Sequence, residues 1–132
     1  MYVHGTPGNA GASNSLSYLI HSMVTSGHEI SIICPPGEAF EQFSAIPGTQ
    51  MLEGGELPIT ATAAGLDHPV LRSIYGHATH FRNYRYFHKY IKQIQPDIVH
   101  LNDVGMGYGA RIAKLYGVKV VMHVRLVLNS QN

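Results

Sequence analysis

The run PDIVHLNDVGMGYGARIAKLYGVKVVMHVR, Pro96 to Arg125, leaves few architectures open. Pro96 and Asp97 punctuate its start, and Ile98-Val99-His100-Leu101 is a short apolar, β-rich segment. Gly105, Gly107 and Gly109 form a loop that runs into Ala110–Tyr116, a segment of good helix formers. Gly117 stands where a helix C-cap glycine belongs, and Val118 to Val124 is a second apolar strand. Two such strands joined by one helix make a right-handed βαβ unit, which requires a parallel sheet. Near-continuous Val and Ile, rather than strict alternation, suits strands covered on both faces. The predicted class is therefore α/β, a parallel sheet with helices on both faces. Ligands of open sheets of this kind gather beyond the C-terminal ends of the strands. Asn102 and Asp103 follow the first of these strands, and His123 and Arg125 lie at the end of the second.

The rest of the chain fits the same plan. Met1–His4 reads as a short first strand, followed by a loop of small residues, Gly5 to Ala12. Ser13 or Asn14 can cap the next helix, in which Leu16, Leu19, Ile20, Met23 and Val24 recur at helical spacing until Gly27. His28–Cys34 is a second strand, stopped by Pro35-Pro36-Gly37. Glu38–Ser44 reads as a short helix and Thr49–Leu52 as a third strand. Across 53–79, glycines and prolines interrupt every pattern, so loops and at most a short helix after Asp67 are expected. Phe81–Gln95 reads as a helix with Phe81, Tyr84, Phe87, Ile91 and Ile94 along one stripe, and Arg82, Arg85, Lys89 and Lys92 along another.

A chain of 132 residues has the size of one domain. Its single cysteine, Cys34, excludes an internal disulfide and fits a reducing, cytoplasmic setting. No apolar run approaches the ~20 residues of a membrane span, and no signal peptide is recognisable. Charge is unevenly spread: residues 1–71 hold six acids and no lysine or arginine, whereas 72–132 hold nine bases and two acids. The chain stops soon after the strand ending near Val124, with no following helix to cover it. A piece of a longer protein, marginally stable alone and with an exposed apolar edge, is therefore expected.

The candidate chemistry lies at the strand ends. A glycine-rich turn between a strand and a helix can present backbone N–H groups to an anion. The spacing Gly5, Gly8, Gly11 is neither the dinucleotide fingerprint nor a P-loop, and Cys34-Pro35-Pro36 replaces the acid a dinucleotide site needs. The same glycines could instead serve only the dihedrals of a tight turn. Of nine histidines, His4, His100 and His123 fall in or at the ends of predicted strands, and His123 is the best placed. A neutral imidazole there could hydrogen-bond a substrate hydroxyl or move a proton. Asp103 could bind ligand hydroxyls or cap the following helix. Arg125 could neutralise a phosphate or carboxylate. No histidine spacing indicates a metal site. The basic helix could lie on an anionic membrane surface, although its aromatic stripe is expected to pack on the sheet. One basic face without a recognised motif is a poor footprint for nucleic acid.

Taken in order, GTPGNAGASNSLSYLIHSMVTSGHEISIICPPG, IKQIQPDIVHLND and GVKVVMHVR resemble the N-terminal domain of family 4 glycosyltransferases. These have the GT-B fold, two Rossmann-like domains facing each other across a cleft. The resemblance spans most of the chain outside 38–80. It implies a retaining transferase that moves a sugar from a nucleotide-sugar donor to a glycan, lipid or small-molecule acceptor, without a metal or other cofactor. It also implies that this chain is the acceptor-side half. Gly8, Asn9 and Gly11 then match the loop that approaches the donor phosphates and the acceptor. His123 matches a histidine lining the reaction centre. Asn102 stands where many members have a second histidine, and Asp103 and Arg125 join it as expected substrate contacts. The donor domain, with its paired glutamates, is absent, so the chain alone is expected to be inactive. The rival is a stand-alone Rossmann-like domain that binds a nucleotide or sugar without catalysis. A receiver-type signalling domain is disfavoured because His4 ends the first strand, where such a domain needs an acid.

Overall fold

The computed structural model describes residues 1–55 and 69–123, apart from the side chains of 69–80 and of Val104. Five strands, β1 (Tyr2–Val3), β2 (Ile30–Cys34), β3 (Thr49–Glu53), β4 (Ile98–Leu101) and β5 (Lys119–Met122), form one sheet in the order β3-β2-β1-β4-β5. Every pairing is parallel. The helices are α1 (Gly11–Thr25), α2 (Glu38–Ser44), α3 (Pro69–Ile94) and α4 (Gly107–Leu115), the last preceded by a 3₁₀ turn over Val104–Met106. Right-handed crossovers sort them by direction of travel. Stepping from β1 through β2 to β3 places α1 and α2 on one face. Returning to β4 and on to β5 places α3 and α4 on the other. This is the expected Rossmann-like α/β sheet, consistent with part of a GT-B fold.

Strand alternation builds a core on each face. Tyr2, Ile30, Ile32 and Cys34 pack with Leu16 and Ile20 of α1 and with Ala39 and Phe43 of α2. Met1, Val3, Ile33, Val99 and Leu101 pack with Phe87, Tyr90 and Ile91 of α3 and with Ile112 and Ala113 of α4. Burial of all five residues of β2 explains why Ile30–Cys34 is almost wholly apolar. Burial also pushes the Cys34 thiol up to about 12. On the α1/α2 face the helices cover β1 to β3, and beyond them Ile98 and Val121 are 47% and 44% exposed.

Three local expectations are corrected. First, α1 begins before Ser13 and Asn14. Its N-cap is Ala10, and Ser13 serves from inside the first turn, its Oγ accepting the Ala10 N–H at 2.8 Å. Second, α3 starts at Pro69 and runs unbroken for 26 residues, through Gly76. Proline is at home in a first turn, and an interior glycine costs a helix only about 1 kcal/mol. Third, the aromatic stripe of α3 divides. Phe87 and Ile91 are buried, but Phe81 is 64% and Tyr84 39% exposed, while Asn83 and Tyr90 join the buried side. At about 100° per residue, Phe81 lies roughly 120° around the helix from Phe87, outside the packed stripe. Gly117 has the expected left-handed conformation, with φ of 70°.

Candidate functional site

The C-terminal edge of the sheet gathers the ends of β1, β4 and β5. Tyr2 pairs with His100, and His100 with Val121. Two residues further along each strand, the same face carries His4, Asn102 and His123. The ladder continues to this row: Asn102 N–H donates to the Val3 carbonyl at 3.0 Å, and His123 N–H to the Leu101 carbonyl at 2.9 Å.

His4 and Asn102 are buried and joined, although they lie 98 positions apart. The Asn102 Nδ2 group lies 2.9 Å from His4 Nδ1 and donates to the Ala12 carbonyl at 3.4 Å. With Nδ2 as donor to both, His4 Nδ1 accepts and the imidazole proton resides on Nε2. His4 Nε2 then donates to Thr6 Oγ1 at 3.0 Å. One histidine thus ties the start of the β1–α1 loop, through Thr6, to its end, through Asn102 and Ala12. The loop is also held from the N-terminus of α2. Ala39 N–H donates to the Pro7 carbonyl at 2.9 Å. A Cβ on Gly37 would come within 2.7 Å of Pro7, and Gly37 has φ of 146°, so a side chain is excluded there by both space and backbone.

Within this loop the predicted residues have distinct surroundings. A Cβ on Gly8 or Gly11 would meet nothing within 4 Å, and neither glycine has a left-handed backbone. The protein's own packing does not require glycine at either position. Asn9 is exposed; its N–H donates to Glu38 Oε2 at 3.3 Å, and its Oδ1 lies 3.2 Å from Ser13 Oγ as an acceptor. An anion approaching Asn9 therefore meets a carboxylate at the same N–H.

On the other two strands, His123 is half-buried with its ring 4.3 Å from that of His100, edge to face at 81°. His100 in turn leans on Tyr2 at 4.8 Å, so three rings cross β1, β4 and β5 beneath the edge. Asp103 Oδ1 accepts the Gly105 N–H at 2.9 Å, fixing the 3₁₀ turn ahead of α4, which is the capping role among its two expected ones. Arg125 lies outside the described residues. Among the described residues, no group of three or more His, Cys, Asp or Glu is arranged to hold a metal ion.

Sequence reasoning missed several contributors. Thr6 gave no signal beyond a small polar residue in a loop, and Ser13 was read only as a helix cap. Asn83, on the buried side of α3, reaches the same edge from the opposite face. With His4, Gly5 and Tyr108 it borders a cavity of about 10 Å³, the size of a single water. Burial pushes the Tyr108 hydroxyl up to about 12. An asparagine among aromatic residues at the Phe87 end of the helix was the available clue.

The family described as Glycosyltransferase Family 4 matches residues 9–127, from the last residues of the β1–α1 loop through the β4–β5 unit. No curated protein and no solved structure matches the chain. The chain belongs to glycosyltransferase family 4, as an N-terminal domain of that family, and its function is glycosyl transfer.

Proposed function

We propose that this chain is the acceptor-side part of a retaining glycosyltransferase that uses a nucleotide-sugar donor and needs neither metal nor other cofactor. A second, donor-binding domain completes the site, and the chain alone is inactive. The observation that carries this reading is the row His4, Asn102 and His123 at the sheet edge, beside a loop whose outer glycines face open space.

Each part has a distinct task. His123 lines the reaction centre, where its imidazole hydrogen-bonds a hydroxyl of the donor sugar. The Gly8–Gly11 segment lets backbone approach the donor phosphates at the N-terminus of α1, where helix polarity favours an anion. Asn102 acts as a positioning residue, since its amide is engaged by His4 and Ala12. Asp103 and Arg125 flank the acceptor and the donor phosphates. A buried lone thiol fits a cytoplasmic setting.

The test is donor hydrolysis and sugar transfer by the protein extended past Asn132, with His123→Ala beside the parent. Transfer should fall about 100-fold or more with the fold intact. Full activity in the variant would make His123 structural. No transfer with any nucleotide sugar tried would overturn the donor assignment.

A further inference from the structure

The sheet separates charge between its faces. The helices on one side, α1 and α2, carry Glu38 and Glu41 and no lysine or arginine. Those on the other side, α3 and α4, contain no acid in either sequence. Their described bases, Arg82, Arg85, Lys89, Lys92, Arg111 and Lys114, are all exposed. Interleaved with them are large apolar side chains that the core does not take up, Phe81 at 64% and Leu115 at 74% exposure. Phe81, Arg82, Arg85, Tyr86 and Lys89 border a groove of about 540 Å³. The Arg85 guanidinium lies 6.0 Å from the centre of the Phe81 ring, so cation and ring share one spot on the surface.

We propose that the outer surface of α3 and α4 docks this protein on an anionic lipid bilayer. The occupant follows from the layout. The bases are spread across two helices instead of converging on a point, which suits a plane of phosphates more than a single anion. Both helices pack into the same core through Phe87, Ile91, Ile112 and Ala113, so their opposite sides face outward together. Exposed Phe81 and Leu115 among bases supply the apolar insertion that a bilayer interface accepts, and aliphatic Leu115 offers no ring on which a nucleic-acid base could stack. The guanidinium groups of Arg82 and Arg85 can each fork onto a headgroup phosphate. No helix among the described residues is long and apolar enough to cross a membrane, so contact through this surface is peripheral.

The experiment is co-sedimentation of the protein with phosphatidylcholine vesicles, with and without phosphatidylglycerol, at low and high salt. Binding should require phosphatidylglycerol and weaken with salt. The Arg85→Glu/Lys89→Glu variant should bind about 25-fold or more weakly, from roughly fivefold for each base lost. Phe81→Ser should reduce binding at high salt more than at low salt, since it removes only the apolar part. Far-UV circular dichroism and melting of both variants check that these exposed changes leave the fold intact. Equal binding to neutral vesicles, or no binding to anionic ones, would overturn the proposal. So would preferential capture by single-stranded DNA or heparin that vesicles fail to compete away, which would assign the surface to a soluble polyanion.

Discussion

Where α1 and α2 cover β1 to β3 they bury Leu16, Ile20, Ala39 and Phe43 and turn a sparse acidic surface outward. Where α3 and α4 cover the opposite face they bury Phe87, Tyr90, Ile91 and Ile112, and their six described bases face outward with exposed apolar side chains. Both layers meet the same demand, to cover parallel strands that are apolar on both sides. They differ in what their outer halves are left to do. The loop bearing Gly8 and Gly11 joins β1 to the first layer, and the basic surface belongs to the second. Packing constrains the inner half of a helix closely and the outer half hardly at all, so the outer halves are where the two layers can diverge.

The comparison breaks most directly in the cores. Phe43→Ala and Phe87→Ala each remove a large, fully buried side chain, and each should cost about 3–5 kcal/mol. Urea titration followed by circular dichroism measures this. A much smaller cost on one side would mean that the two layers do not share one cooperative unit. Next in size is the tie beneath the loop. Asn102→Leu leaves His4 Nδ1 and the Ala12 carbonyl without their donor and should cost about 1–3 kcal/mol. Amide exchange should quicken across residues 10–14 and stay unchanged in α4.

Alkali tests both layers at once. Cys34 lies on the first side and Tyr108 on the second, and burial raises both above their ordinary values of 9.0 and 10.0 to about 12. The unfolded chain therefore loses these protons first. It binds fewer protons than the native state between pH 9 and 12, and stability falls as pH rises through that window. From Cys34 alone the loss is about 1.4 kcal/mol one pH unit above 9.0. Cys34→Ala, compared with the parent at each pH, should remove that share of the slope. The smallest effect is expected at Gly11→Ala. The new methyl meets nothing within 4 Å in the first position of α1, so stability should rise by about 0.4–1 kcal/mol. Transfer by the extended protein should fall, because the methyl enters space assigned to the donor. Unchanged transfer would return Gly11 to a purely local role.

The sequence made the fold legible where a local rule decided it. Pro96–Arg125 announced a βαβ unit, and the turn residues at Gly27, Pro35-Pro36 and Gly117 marked real boundaries. It misjudged α3 because glycine and proline look like interruptions when counted locally, whereas the proline sits in the first turn and an interior glycine costs a helix only about 1 kcal/mol. Phe81 was assigned to the core because aromatic residues are read as buried before their angle around the helix is worked out. The candidate site was visible as a set of residue types at strand ends. The tie itself was not, since nothing local relates His4 to a partner 98 residues away. The charge imbalance was plain as two halves of a string, and only the right-handed crossovers turn those halves into two faces.

The position of β1 has a consequence for how this molecule comes into being. It is only two residues long, yet it is the central strand, paired with β2 on one side and β4 on the other. The terminal amine of Met1 donates to the Ile98 carbonyl at 2.9 Å, across 97 positions. Tyr2 and Val3 are thus unable to complete their pairing until β4, far along the chain, is in place. Until then Tyr2 and Val3 wait with one edge open, and closing the sheet pays the entropy of a very long loop. Folding of this domain should accordingly be slow, with the two halves of the sheet joined only when β4 pairs with β1.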